Sequence, residues 1–419
     1  MSEFINNQTL RKEKLKEALR QIHAGKPYEE VKAAFAEMLR EASAGEIAEI
    51  EQALIADGLP VNDIQYLCDV HVAMFRESLD RQQPAEMTPG HPVYTFRAEN
   101  ELVTLQLNET RQLLQKSVID AGEENLAKLL AAINKLAEFE KHYLRKENLL
   151  FPYLEKYGFS GPSAVMWGIH DDIRKAWKAM IKTLQDQSTA SRSRTAETAK
   201  LFNPMENAMR EMIYKEENIL FPNALERLTE ADWRSIHAQE ADFGFSYVTR
   251  GTDWPAAGAE ESQKPVEVKL NQPVEVKKEE RTVSMSDFPL STGDLTLSQI
   301  NLMLKTLPVD ITFVDENDTV RYFSETPERI FKRTPAIIGR KVQNCHPPAS
   351  VDKVVRIVED FRAGKRDTAE FWIQMGGKFI HIQYYAMRDE AGNYRGTLEV
   401  SQDLTELRKL EGERRLLEE

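Results

Sequence analysis

Two octapeptides constrain this chain more than any other feature: Arg145-Lys-Glu-Asn-Leu-Leu-Phe-Pro152 and Lys215-Glu-Glu-Asn-Ile-Leu-Phe-Pro222 are nearly the same string, offset by 70 residues. Each lies in a long segment whose apolar residues recur at the helical period. Four such segments cover roughly 92–116, 122–157, 162–187 and 194–227, with a shorter piece from Glu230. Amphipathic helices of that length with short connections bury their stripes against one another, so an antiparallel four-helix bundle is expected over 88–248. The repeats should lie on equivalent helices about a pseudo-dyad. Aligning them sets His142 against Met212, Lys146 against Glu216 and Glu147 against Glu217.

On a straight helix, residues i and i+4 fall within about 40° of each other and i+5 about 140° away. Glu216 therefore sits within the stripe of Leu201, Phe202, Met205, Met209, Met212, Ile213, Ile219 and Leu220, where an acid is costly unless it is paired or binds a metal. His170 shares a stripe with Met166, Trp167, Ile173, Trp177, Ile181 and Leu184. His142 lies beside Phe139, Tyr143, Leu149 and Leu150, and His91 precedes Pro92 at the start of the first helix. Three inward histidines and an inward glutamate from four helices have the composition of a metal site in a bundle core.

The pattern of one His per helix, Leu-Phe-Pro after each motif, and Met166-Trp-Gly-Ile-His170-Asp-Asp-Ile-Arg174 resembles the hemerythrin-like, or HHE, domain. The resemblance implies non-haem iron, mono- or dinuclear, ligated by His91, His142, His170 and Glu216. Glu147 joins that set if the helix is locally distorted at a π-bulge; Glu99 is a further, weaker candidate. Three positions depart from the family: Lys146 stands for a Glu, Met212 for a His, and Arg174 for the second third-helix His of hemerythrins proper. Two added cations disfavour a second metal, and a Lys146–Glu216 ion pair would replace part of the bridging chemistry.

The flanks differ in character. Residues 1–83 read as short helices and resemble a helical domain of unknown function that often precedes hemerythrin-like domains. Within them Cys68 and His71 share a helix face at i, i+3, for which core packing is the expected role. Residues 249–288 repeat Pro-Val-Glu-Val-Lys at 265–269 and 273–277, and are expected to form a disordered linker. From 290 to 408 the period becomes 2. Strands are expected within 309–324 around a turn at Glu316-Asn317-Asp318, and within 370–387 and 394–404, with a helix over Val351–Arg362 capped by Ser350. That order, ending in Val400-Ser-Gln-Asp403-Leu-Thr-Glu-Leu407, resembles a PAS sensor domain followed by a signalling helix over 409–419. PAS domains curve five strands around a pocket for a small ligand, here unidentified. Its expected lining residues are His346, His381 and Trp372, with haem ligation by either histidine one reading. Asn344-Cys345-His346-Pro347-Pro348 lacks the spacing of a flavin photosensor motif.

The fold class expected is thus multidomain: an all-α N-terminal part and bundle, then an α+β PAS domain. Lys and Arg number 55 against 68 Asp and Glu, a net charge of −13, which argues against nucleic acid and anionic membrane as partners. Two distant cysteines and no apolar leader or long apolar run point to the reducing cytoplasm. The functional expectation is a non-enzymatic iron sensor responding to dioxygen, nitric oxide or redox state, passing output to a protein partner or through the N-terminal helices because no output module follows; homodimerisation is left open. The alternatives are an iron-dependent factor in iron–sulfur repair or nitric oxide or peroxide turnover, and a metal-free structural bundle.

Overall fold

A computed structural model describes residues 88–254 and 288–413, except 291 and 327, and scattered residues between 13 and 54. His23, Cys68, His71, residues 255–287 of the expected linker and 414–419 lie outside the described residues. The chain divides into two compact units, one holding the bundle and the other the sheet.

In the first unit, α1 (Pro92–Ile119) is capped by His91, whose Nδ1 accepts the Val93 N–H at 3.1 Å, with Pro92 in the first turn. After it come α2 (Glu123–Ala137), α3 (Glu140–Arg145), a π-helical segment over Lys146–Leu150 and α4 (Phe151–Lys156). The chain continues through α5 (Gly161–Gln185), α6 (Ser191–Lys215), a second π-helical segment over Glu216–Leu220, α7 (Phe221–Arg227) and α8 (Glu230–Gln239). Helix α1 packs on α2 and α6, and α5 on α2 and α6, so the four long helices form a closed ring around Phe96, Leu107, Phe139, Phe151, Phe202, Met209 and Phe221.

Both π segments fall within the octapeptide repeat, each ending just before its Phe-Pro. A proline inside a helix lacks its N–H and its ring crowds the carbonyl four residues back. A widened turn just before each Phe-Pro relieves that clash, and the Phe151 and Phe221 N–H groups reach back five residues, to Lys146 and Glu216. The repeated asparagine has a matching role: Asn148 and Asn218 each donate to the carbonyl four residues back, Leu144 and Tyr214, at 2.8 Å. The extra residue in the turn rotates the side chains beyond Lys146, and Glu147 becomes buried instead of facing solvent as an ideal helix would place it.

In the second unit, β1 (Phe288–Leu290) and β2 (Gly293–Leu295) form a hairpin and α9 (Leu297–Thr306) begins in a Thr296–Gln299 capping box. Strands β3 (Asp310–Asp315), β4 (Val320–Phe323), β5 (Thr368–Met375), β6 (Lys378–Arg388) and β7 (Tyr394–Asp403) form an antiparallel sheet in the order β4-β3-β7-β6-β5. The β3–β4 turn is held by Asp315, whose Oδ1 accepts the N–H groups of Asn317 and Thr319. Gly376-Gly377 makes the β5–β6 turn with both φ angles positive, 59° and 80°, as a tight hairpin requires. Helix α10 (Pro348–Arg362) places Phe361 against Ile380, Ile382 and Tyr384.

Two expectations need correction here. The helix expected from Val351 starts at Pro348, so Ser350 lies in its first turn, its hydroxyl donating to the Pro347 carbonyl, and is no N-cap. Of the signalling helix expected over 409–419, the described residues show a 3₁₀ turn at Leu407–Lys409 and no helix at 410–413; the rest lies outside the described residues.

Candidate metal centre

His142 and His170 point into the bundle from α3 and α5 and are completely buried. Each ring is gripped at Nδ1 by a buried carboxylate: His142 by Glu99 Oε2 at 2.8 Å and His170 by Glu147 Oε1 at 2.7 Å. Glu99 also accepts from Arg145 and, at 2.6 Å, from the Ser246 backbone N–H. Glu147 also accepts from Arg174 at 2.9 Å, and burial pushes its carboxyl up to about 7 against the pull of that guanidinium. Carboxylates at Nδ1 fix the tautomer with the proton on that nitrogen and turn each Nε2 lone pair inward, as metal-binding histidines are commonly held.

One Nε2 meets Glu216 directly and the other reaches it through Lys146. His142 Nε2 lies 3.1 Å from Glu216 Oε2, which also accepts from Asn100 at 2.9 Å. His170 Nε2 lies 3.0 Å from Lys146 Nζ, and that ammonium is bonded to Glu216 Oε1. Burial would raise the Glu216 carboxyl, but Lys146 and His142 outweigh it and hold it at about 2, so it is ionised. Burial, reinforced by Lys146 and Arg174, keeps His170 well below the ordinary imidazole value and hence neutral. Burial also lowers the Lys146 ammonium, opposed by Glu216.

The donor types suit a single cation. Two inward imidazole nitrogens and one carboxylate form a set typical of a transition metal. His142 is held between two acids, Glu99 at Nδ1 and Glu216 at Nε2. The set does not suit two metals, because Lys146 and Met212 stand where further ligands would be needed. Nor do the side chains close into a cage: among the described residues no group of three or more His, Cys, Asp and Glu is placed to hold an ion. The Lys146 ammonium lies between His170 and Glu216.

His91 is not brought into this group. Its ring packs against Trp233 and Trp254, each 4.8 Å away, and its nitrogen caps α1. Burial, with His237 nearby, lowers it to about 4. His91→Ala is expected to cost about 2 kcal/mol of bundle stability through the lost cap and ring packing, measured by chemical unfolding, with metal content unchanged. Arg174 stands behind Glu147 and also pairs with Glu140 and Asp171, so it does not occupy a metal position. Met212 is buried in the apolar core.

Several participants were not legible beforehand. Arg145, Glu240 and Ser246 form the outer support of Glu99: Arg145 bonds Glu240 at 3.0 Å, and Ser246 arrives from the segment after α8. From α1 the sequence offered only Glu99, as a weaker candidate; Asn100 beside it is also buried and bonds Glu216. In the second unit, the apolar cavity is lined by Val314, Val342, Val354, Ile357, Val358, Tyr384, Thr397 and Glu399. None of His346, His381 and Trp372 lines it. Trp372 is 61% exposed and pairs across the strands with His381, whose Nε2 meets Glu370 at 3.3 Å.

This is a helical bundle with inward histidines backed by acids. Residues 91–224 match the model of the hemerythrin HHE cation binding domain, residues 300–405 that of a PAS domain, and residues 15–81 that of a family of unknown function (DUF438). An HHE domain joined to a PAS domain makes this a sensory, regulatory protein. No curated protein matches the chain. Among solved structures, the C-terminal domain of a protein from Streptococcus mutans is 39% identical, covering 30% of this chain and 98% of that one, with a TM-score of 0.29. A PAS domain from Colwellia psychrerythraea is 16% identical, covering 26% and 97%, with a TM-score of 0.22. A sensory box sensor histidine kinase from Vibrio cholerae is 12% identical, covering 25% and 89%, with a TM-score of 0.21. Among the described residues no helix is long and apolar enough to cross a membrane.

Proposed function

We propose that this protein is a sensor whose HHE bundle holds one non-haem metal ion, iron by the resemblance of the domain, at His142 Nε2, His170 Nε2 and Glu216. Such an ion would supply a redox couple and an open position for dioxygen or nitric oxide. Glu99 and Glu147 would orient the two rings, Asn100 would steady Glu216, and the buried aromatic shell would exclude water. The PAS domain relays or adds a signal, and output passes to a protein partner. The observation that supports this reading most is that His142 Nε2 meets the ionised Glu216 carboxylate directly and His170 Nε2 reaches it through Lys146, each ring being held at Nδ1 by a buried acid. A second reading, a metal-free structural bundle, draws on Lys146 lying among the same groups.

Metal analysis of full-length protein purified without oxygen separates the two. The sensor reading expects about one iron per chain, and loss of most of it when His142 and His170 are both replaced by alanine while helical circular dichroism persists. Equal metal content in the wild type and the double variant would discard it.

A further inference from the structure

We infer that Lys146 is a tethered cation that occupies the metal position, so that the lysine and a metal ion exclude each other there. This rests on the metal reading of the bundle and adds what governs its loading. The Lys146 side chain is completely buried, and its ammonium touches His170 Nε2 and Glu216 Oε1 and lies 4.8 Å from the centre of the Tyr143 ring.

The internal repeat explains how it comes to be there. Lys146 and Glu216 are equivalent positions, each the first residue of a π segment, and the pseudo-dyad brings them face to face. Two acids at such positions would repel unless a metal lay between them. One acid and one lysine neutralise each other instead, and the two-helix geometry is kept without any ligand.

Exclusion arises from the lone pairs. A neutral imidazole has one free lone pair, and with Nδ1–H directed at Glu147 that pair is on Nε2 of His170. It already accepts from Lys146. A metal at His170 and Glu216 needs that same pair and the same carboxylate oxygen, so it binds only as Lys146 withdraws. The lysine therefore sets how tightly the cation binds, and keeps that binding weak.

The test uses full-length, metal-free protein without oxygen, titrated calorimetrically with cobalt(II) and iron(II). Lys146→Met removes the charge at similar volume; Lys146→Gln also removes it but keeps a hydrogen bond toward Glu216, guarding against misfolding of the first. Both variants are expected to bind at least tenfold more tightly than wild type, still with one ion per chain. Unchanged or weaker binding in the variants, while His170→Ala abolishes wild-type binding, would overturn the lysine's role and leave the metal reading standing. Absence of binding in all three proteins, or binding indifferent to His170→Ala, would overturn both.

Discussion

Glu216→Gln is expected to lower the stability of the metal-free bundle by about 3 kcal/mol, among the largest effects of any single substitution here. Glu216 is completely buried and is the partner of Lys146, of Asn100 and of the His142 ring. The amide keeps the shape but leaves the Lys146 ammonium without an opposite charge in a medium where neither water nor a neighbour replaces it. The pH dependence identifies the cause. The carboxyl is held at about 2, below its ordinary 4.5. The unfolded chain thus binds more protons than the folded one between those values, and stability rises with pH across that window. The contribution is fully present above pH 4.5 and is lost as pH falls through 2. Urea unfolding monitored by circular dichroism should show a gap between wild type and variant that is constant above pH 4.5 and narrows below it. A gap absent at pH 7 would mean that the Lys146–Glu216 pair does not form.

Glu99→Gln acts from behind the site. Glu99 holds the His142 Nδ1–H, the Arg145 guanidinium and the Ser246 backbone N–H, all within the bundle interior. Arg145 retains Glu240, so the loss of charge is shared, and a destabilisation of about 2–3 kcal/mol is expected. The effect on metal is distinct. Without an acceptor carboxylate the ring is free to turn and its Nε2 becomes a poorer donor, which for outer-shell partners of metal-binding histidines weakens affinity by roughly 10–100-fold. Isothermal titration with cobalt(II) measures it. Unchanged affinity alongside lowered stability would place Glu99 in the fold only and not behind a metal ligand.

Much of the bundle was readable because its signals are local. The apolar period located four helices, and the repeated strings placed Lys146 opposite Glu216, where the structure pairs them. The site was less readable where geometry departs from an ideal helix. Angles for a straight α-helix turn Glu147 toward solvent; the π segment before Phe151-Pro152 turns it toward His170. Glu240 and Ser246 join only through tertiary approach of the segment after α7, which no periodicity reports. His91 was read as inward because it begins a bundle helix, and it is buried, but in an aromatic cluster with Trp233 and Trp254. In the sheet, His381 alternates with Ile380 and Ile382, which does not show which face is inside. The register pairs His381 with the exposed Trp372, while Glu399 lines the cavity.

X-ray absorption at the iron edge of the anaerobically loaded full-length protein tests the central claim most directly. A single iron held by His142, His170 and Glu216 predicts a first shell of nitrogen and oxygen with imidazole outer-shell scattering and no iron–iron vector. A short iron–iron distance would show that a second metal binds despite Lys146, and a first shell without imidazole would show that the bundle histidines are not ligands at all.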